Sequence, residues 1–199
     1  MAPRVALSFD DGPGPSTAGL LDLLAGRRVR ASFFVLGQNL ERAREIGVRM
    51  VREGHVLGNH TFSHARSDAI DAPALLEEIA RTDALLREVY RAAGAQPPAP
   101  FPVRLPYGIG AQDARLQALA SLGRTHVHWT GDFEDWKDPP AAELVARMRA
   151  HIGSQHARGL DAVLDLHDSS RQYVARPTTV EGVRLLLEDR GLVFFTVPV

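Results

Sequence analysis

"VALSFDDGPGPST", residues 5–17, already holds the alternation on which the fold turns. Val5 to Phe9 suit a buried strand, Asp10 and Asp11 stand side by side at its end, and Gly12-Pro13-Gly14-Pro15 makes a turn. Ser16 or Thr17 is then placed to cap a helix that reads "STAGLLDLLAGR". Adjacent carboxylates repel, and burying either without a partner is costly. A solvated turn would dispose of them. A cation and a cationic side chain from elsewhere in the chain would also do so, while leaving both buried.

The same alternation continues outward. "ASFFVLG" reads as a strand, and "NLERAREIGVRMVREG" as one helix from Asn39 to a stop at Gly54. "HVLGNH" precedes a long helix, "DAPALLEEIARTDALLREVYRAAG", on which Leu75, Ile79, Leu86 and Tyr90 form an apolar stripe. "AQPPAPFP" is too rich in proline for a helix and reads as a rigid connection. Then come "VRLPYG" as strand and loop, "AQDARLQALASLG" as helix, and "THVHWTGD" as strand. "AAELVARMRAHI" is a helix entered through Pro139 and Pro140, "AVLDLHD" a strand, "TTVEGVRLLLEDRG" a helix and "VFFTV" a last strand. About seven strands with helices between them, and no linker or repeat, imply one α/β domain over residues 1–199 with a parallel sheet. The sheet is either doubly wound or closed as a barrel. Both architectures gather functional groups at the C-terminal ends of strands.

Composition narrows the function classes. With 24% charged and 45% hydrophobic residues the chain is ordinary for a globular protein, and its net charge of -1 gives no reason to expect a nucleic-acid partner. There are no cysteines, which excludes disulfides, zinc-thiolate sites and thiol nucleophiles. No apolar run reaches the roughly 20 residues of a membrane span. No protein partner can be read. The N-terminus enters a strand almost at once, without room for a signal peptide, so the chain as written is expected in the cytoplasm. An exported chain stripped of its leader would read the same.

Every unusual polar cluster follows a strand: "DDG", "NHTFSH", "RLPYG", "GDFEDW" and "HDSS". His60 and His64 are four apart, one helical turn, so both rings can face one side, and two imidazoles with a carboxylate suit a divalent metal. Taken singly, each cluster has a plainer reading. The histidines could decorate a helix surface, Asp10 and Asp11 could be turn residues, and Arg104 a surface arginine. His167 could be a satisfied core histidine, and Asp135-Trp136 a cap beside a buried aromatic.

Taken in order, "SFDDGP", "HTFSH", "RLPYG", "DFEDW" and "LDLHD" resemble the five signature motifs of the polysaccharide deacetylases, the NodB-homology domain of carbohydrate esterase family 4. The resemblance runs from about Val5 to Asp168 and implies a distorted (β/α)7 barrel. It implies that Asp11, His60 and His64 bind a divalent metal, zinc in most relatives, with cobalt or another ion as substitutes. It implies that Asp10 is the general base, paired with Arg104, and that the backbone N–H of Tyr107 receives the oxyanion. His167 would be the general acid, oriented by Asp135, and Trp136 would wall the acyl pocket. The expected activity is hydrolysis of N-acetyl groups from a GlcNAc-containing glycan or oligosaccharide, of chitooligosaccharide or peptidoglycan type; acetylxylan enzymes share the motifs.

Other readings stay open at this point. Some relatives hydrolyse small C–N substrates such as cyclic ureides or imides, and a non-catalytic glycan-binding relative would lack the base or the acid. A ferrous oxygenase also uses two histidines and a carboxylate, but needs no counterpart of Asp10 or Arg104. Two positions depart from the family: Leu105 stands where a proline is common, and Asp165 where an apolar residue lines the acetyl pocket. If "AVLDLHD" is extended, Asp165 and His167 share one face. Asp165 is then either paired with an arginine, or turned away by a bulge, or part of a more polar pocket selecting a group other than plain acetyl.

Overall fold

β1 (Arg4–Asp10) is buried along its whole length after Arg4. A strand covered on both faces belongs at the centre of a parallel sheet. Its residues divide by period two: Val5, Leu7 and Phe9 join the main apolar core, whereas Ala6, Ser8 and Asp10 face the other way. The computed structural model describes residues 1–66 and 68–197.

β1 organises everything around it. On one edge β5 (Ala162–His167) runs parallel from Val5↔Ala162 to Asp10↔His167. The other edge is shared. β6 (Val193–Phe195) pairs with Arg4–Ala6, and β2 (Ser32–Val35) pairs with Ser8–Asp10. Where those two strands part, the Val197 N–H donates to Ser32 Oγ at 3.0 Å. β3 (Val56–Asn59) pairs with β2, Asn59 bridges to Val103, and Val103 bridges to His126. β4 (Gly131–Asp132) then pairs with β5 at Leu164 and Asp165. The circuit returns to β5 and closes a distorted barrel, as expected.

Seven α-helices lie along the described chain: α1 (Thr17–Arg27), α2 (Gly37–Arg42), α3 (Arg44–Arg52), α4 (Ala72–Ala93), α5 (Arg115–Ser121), α6 (Ala141–Ala157) and α7 (Pro177–Leu186). The principal core lies between strands and helices, where Leu7, Phe9, Phe33 and Leu164 meet Leu20, Leu86, Met148 and Val183. Full burial of each such side chain contributes about 1.5–3 kcal/mol. Ala6, Phe34, Val163 and Phe195 fill the barrel interior from below. Above them the inward positions turn polar. No helix among the described residues is long and apolar enough to cross a membrane.

Several expected elements differ. The fourth strand is reduced to a single bridging residue, Val103, paired with Asn59 on one side and His126 on the other. Pro102 offers its carbonyl to the Asn59 N–H at 2.8 Å but has no N–H to return, and Pro106 ends the extended run two residues past Arg104. The fifth is split between His126 and β4, because this segment passes from one partner to another. The Val127 N–H donates to the Val103 carbonyl, and three residues later the Thr130 N–H donates to the Val163 carbonyl. The helix read over Asn39–Gly54 breaks at Ala43 (φ -126°, ψ 46°) into α2 and α3, which pack closely: a Cβ on Gly47 would meet Leu40 Cδ1 at 2.5 Å. No proline or glycine marks that break. Asp71 caps α4 through Ala74 N–H, but neither Ser16 nor Thr17 caps α1. Their hydroxyls tie loops together instead: Ser16 Oγ accepts from Arg176 N–H, while Thr17 Oγ1 accepts from Gly14 N–H and donates to Asp168.

Candidate active site

The inward, polar ends of β1 and β5 open into a cavity of about 470 Å³. Asp10, Asp11, His60, His64, Tyr107, Trp136, Asp165 and His167 all line it, so eight of the ten residues singled out in the sequence meet in one place. Arg104 and Asp135 are fully buried behind that surface.

The carboxylates part as soon as β1 ends. Asp10 is the last strand residue, while Asp11 adopts φ 71° and turns the other way. Gly12 follows against Asp168, whose Oδ2 would lie 2.2 Å from any Cβ there, so only glycine fits. Asn39 Nδ2 donates to the Asp11 carbonyl at 2.7 Å and to the Ser170 carbonyl at 2.9 Å, bracing the turn.

The histidines do not lie on a helix, contrary to the expected helical turn. His60 follows β3 directly, and the loop through His64 has Thr61 at φ 68° and His64 at φ 60°. Glu78 of α4 clamps this loop. Its Oε2 accepts the N–H groups of Phe62 and Ser63 at 2.9 and 2.7 Å, and its Oε1 accepts the Ser63 hydroxyl at 2.7 Å. Left-handed non-glycine residues also occur at Tyr107 (φ 64°) and Glu134 (φ 49°) in the third and fourth motif loops. Such costly conformations gather at functional sites, where surrounding structure holds them.

The fit of Asp11, His60 and His64 to a cation follows from their atoms. One ligand atom from each lies within 4.8 Å of the others. Asp11 Oδ1 is 3.6 Å from His60 Nε2 and 3.3 Å from His64 Nε2, and among the described residues no protein group donates to that buried oxygen. His60 Nδ1 donates to the Arg104 carbonyl at 2.7 Å, which leaves Nε2 with a free lone pair. Burial holds both imidazoles well below their usual pKa, His64 at about 3, with the neighbouring His60 charge adding to the effect there. Neutral imidazole is the ligating form. Burial, with the charge of Asp10 adding, raises Asp11 to about 7, partly offset by His167; a carboxylate in such a place calls for a positive partner. These residues suit a divalent metal.

Arg104 is the cationic side chain the opening motif required. Its Nη1 donates to Asp10 Oδ1 at 2.8 Å, Asp165 Oδ1 at 3.0 Å and Ser8 Oγ at 2.9 Å. Its guanidinium carbon lies 4.1 Å from the centre of the Phe34 ring. Asp165 therefore pairs with an arginine and also lines the cavity, with no bulge turning it aside. Burial, then the charge of Asp10, push its pKa well up against the opposing pull of Arg104.

Two residues along β5 from Asp165, His167 Nδ1 meets Asp135 Oδ1 at 2.8 Å, and Thr179 Oγ1 donates to Asp135 Oδ2 at 2.7 Å. Burial alone would lower the His167 pKa. The charge of Asp135 and its hydrogen bond, with Asp11 and Asp165 behind them, outweigh burial and raise it to about 10. Asp135 itself is lowered, because the pull of His167 and the donated hydrogen bonds exceed its burial. Among the described residues the Tyr107 N–H meets no acceptor, and its ring stands edge-on to His64 at 4.5 Å. Trp136 is half-exposed at the rim.

Sequence reasoning missed Ser8, Asn39, Glu78, Asp168 and Thr179, which brace the site, and Trp129, which helps line it. Asp168 is fully buried, accepts from Thr17, and is raised to about 7 by burial. Its place directly after His167 was a signal that it stood in the same cluster.

Comparison with known proteins agrees with this geometry. A polysaccharide deacetylase family model matches residues 2–127. A chitooligosaccharide deacetylase of Bradyrhizobium sp. is 33% identical over 98% of this chain and 89% of its own length. Another from Sinorhizobium fredii is 31% identical over 99% and 91%. The solved structure of peptidoglycan deacetylase PdaC from Bacillus subtilis superposes with a TM-score of 0.76 at 28% identity, covering 98% of this chain and 88% of that one. With five ordered motifs converging on one cavity and most of its length matched, this chain belongs to the polysaccharide deacetylase family.

Proposed function

We propose that this deacetylase removes N-acetyl groups from GlcNAc residues of soluble oligosaccharides of the chitooligosaccharide type, with zinc as its metal. The observation that carries the reading is the pairing of Asp10 and His167, register partners on β1 and β5, in the lining of one cavity. Each is locked by its own buried partner, Arg104 or Asp135, beside the Asp11-His60-His64 cluster.

In this reading Asp11, His60 and His64 hold the divalent ion, which supplies Lewis-acid polarisation of the acyl oxygen and a lowered pKa for water. Asp10, anchored through Oδ1, keeps Oδ2 available to take the proton of the attacking water. The water oxygen bonds to the amide carbon, and the Tyr107 N–H donates to the oxyanion that forms. His167 is oriented through Nδ1 and presents Nε2 as the proton donor to the amide nitrogen. The C–N bond then breaks, giving acetate and a glucosamine amine. An amine leaves poorly without that proton, so an imidazolium persisting to about pH 10 suits the role.

The deciding experiment measures acetate release by protein loaded with zinc, cobalt or manganese, on chitooligosaccharides, peptidoglycan fragments and acetylxylan. Turnover is expected on chitooligosaccharides with zinc. Release from acetylxylan alone would overturn the substrate assignment.

A further inference from the structure

Asp165 is 5% exposed, yet it lines the cavity. Its Oδ1 accepts from Arg104, and among the described residues no protein group donates to Oδ2. That oxygen is also not sealed away from the cavity. One face of β5 carries Asp165 and His167 together, and the register pairs Asp165 with Ser8 while His167 pairs with Asp10. Asp165 thus sits two residues deeper than the proposed acid, about 7 Å along the strand.

In the deacylase reading above, His167 protonates the amide nitrogen while the bulky sugar stays at the open mouth, so the acyl tail points inward. The tail then ends at a layer bearing Leu105 and the Asp165 carboxylate. A methyl group there would strip water from Oδ2 without replacing its hydrogen bond, which is unfavourable for a polar group this buried. A hydroxyl on the same carbon would replace it. A hydroxyl both donates and accepts, so it matches the carboxyl group whether ionised or protonated.

We infer that Asp165 is a specificity-determining residue, and that the cavity favours N-linked 2-hydroxyacyl groups, N-glycolyl being the simplest, over N-acetyl. Building on the deacylase reading above, it assigns the acyl class of that same site. The reaction is otherwise unchanged: water adds to the acyl carbon, the C–N bond breaks, the nitrogen takes the proton, and glycolate replaces acetate.

The test compares kcat/KM for release of glycolate and acetate from matched N-glycolyl and N-acetyl chitobiose, using the metal-loaded wild type, Asp165→Ala and Asp165→Leu. Wild type is expected to favour the glycolyl substrate by at least about tenfold, since a polar group left unpaired discriminates strongly. Both variants should bring the ratio to one or below, with Asp165→Leu favouring acetyl. Asp165→Ala keeps Arg104 held by Asp10 and Ser8, so it guards against a leucine that disturbs folding. A wild-type ratio of one or less, with acetate still released, overturns the role of Asp165 and leaves the deacetylase reading intact. Release of neither product by wild type overturns the deacylase reading itself, and the assignment falls with it.

Discussion

Asp135 grips His167 twice: its Oδ1 meets the ring at Nδ1 and its Oδ2 accepts the main-chain N–H, both at 2.8 Å. Ring and backbone are therefore fixed by one fully buried carboxylate, itself steadied by Thr179. The arrangement sets the orientation of the imidazole and favours its charged form.

Replacing Asp135 with Asn removes the charge and leaves the shape. His167 has a folded pKa near 10 against an ordinary value of 6.5, so its protonated form is retained throughout the neutral range. In Asp135→Asn the alkaline limb of the kcat/KM profile should move acidward by about two pH units, as loss of a close opposite charge allows. A raised histidine pKa also stabilises the fold below about pH 6.5, and that contribution is lost as pH rises toward 10. Chemical denaturation at pH 6 and pH 10 should therefore show a smaller pH dependence in the variant than in wild type. An unmoved alkaline limb would assign the acid elsewhere.

Asp10→Asn and His167→Ala separate chemistry from metal binding. Neither residue belongs to the Asp11-His60-His64 set, so bound metal measured by mass spectrometry should match wild type. The kcat should drop at least about 10²–10⁴-fold in each, the range for losing a positioned proton acceptor or donor. Turnover close to wild type in either variant would contradict that role.

How much of this was legible in the sequence depends on how local the cause was. β1 could be read because its apolar run, its terminal carboxylates and its turn are contiguous, and the ends of β3 and β5 followed for the same reason. The third and fourth motif regions could not, because Val103 and His126 owe their pairing to one another and to Asn59 rather than to any local run. His60 and His64 were read as a helical pair since a spacing of four fits that period. Their actual juxtaposition comes from left-handed loop residues and from Glu78, fourteen residues beyond His64, and no sequence period records such a clamp. The bracing groups Asn39 and Thr179 likewise come from helices whose local patterns concern only their apolar faces.

Arg104→Gln tests the centre of the polar layer. The guanidinium is fully buried and serves Asp10 and Asp165 through one nitrogen, so its loss leaves two buried carboxylates facing one another. Breaking one partner of a buried pair costs about 3–5 kcal/mol. The denaturant midpoint should fall accordingly at pH 7. The loss should be smaller in Arg104→Gln/Asp165→Leu, where one of the stranded charges is gone. Equal stability of wild type and Arg104→Gln would mean that the carboxylates are neutralised by something other than this arginine.

Glu78 offers the sharpest test of how the proposed metal ligands are held, because its carboxylate bonds to Phe62 and Ser63 and to none of those ligands. Among the described residues its carboxylate accepts three hydrogen bonds, all from Phe62 and Ser63, within the loop that carries His60 at one end and His64 at the other. Thr61 and His64 sit in left-handed conformations that cost of order 1–3 kcal/mol each, so the loop needs an external restraint to stay in place. Glu78→Ala removes that restraint while leaving α4 anchored by Leu75, Ile79 and Leu86 in the core. The fold should therefore persist, with circular dichroism unchanged. Groups that orient metal ligands typically contribute 10–100-fold in affinity, and zinc titration against a competing chelator should show a loss of about that size. Saturating zinc should then restore most of kcat, since Asp10, Tyr107 and His167 are carried by other segments of the chain. Glu78→Gln should fall between the two, because its amide oxygen can still accept from one backbone N–H. Unchanged zinc affinity in Glu78→Ala would show that the loop holds its shape without the clamp.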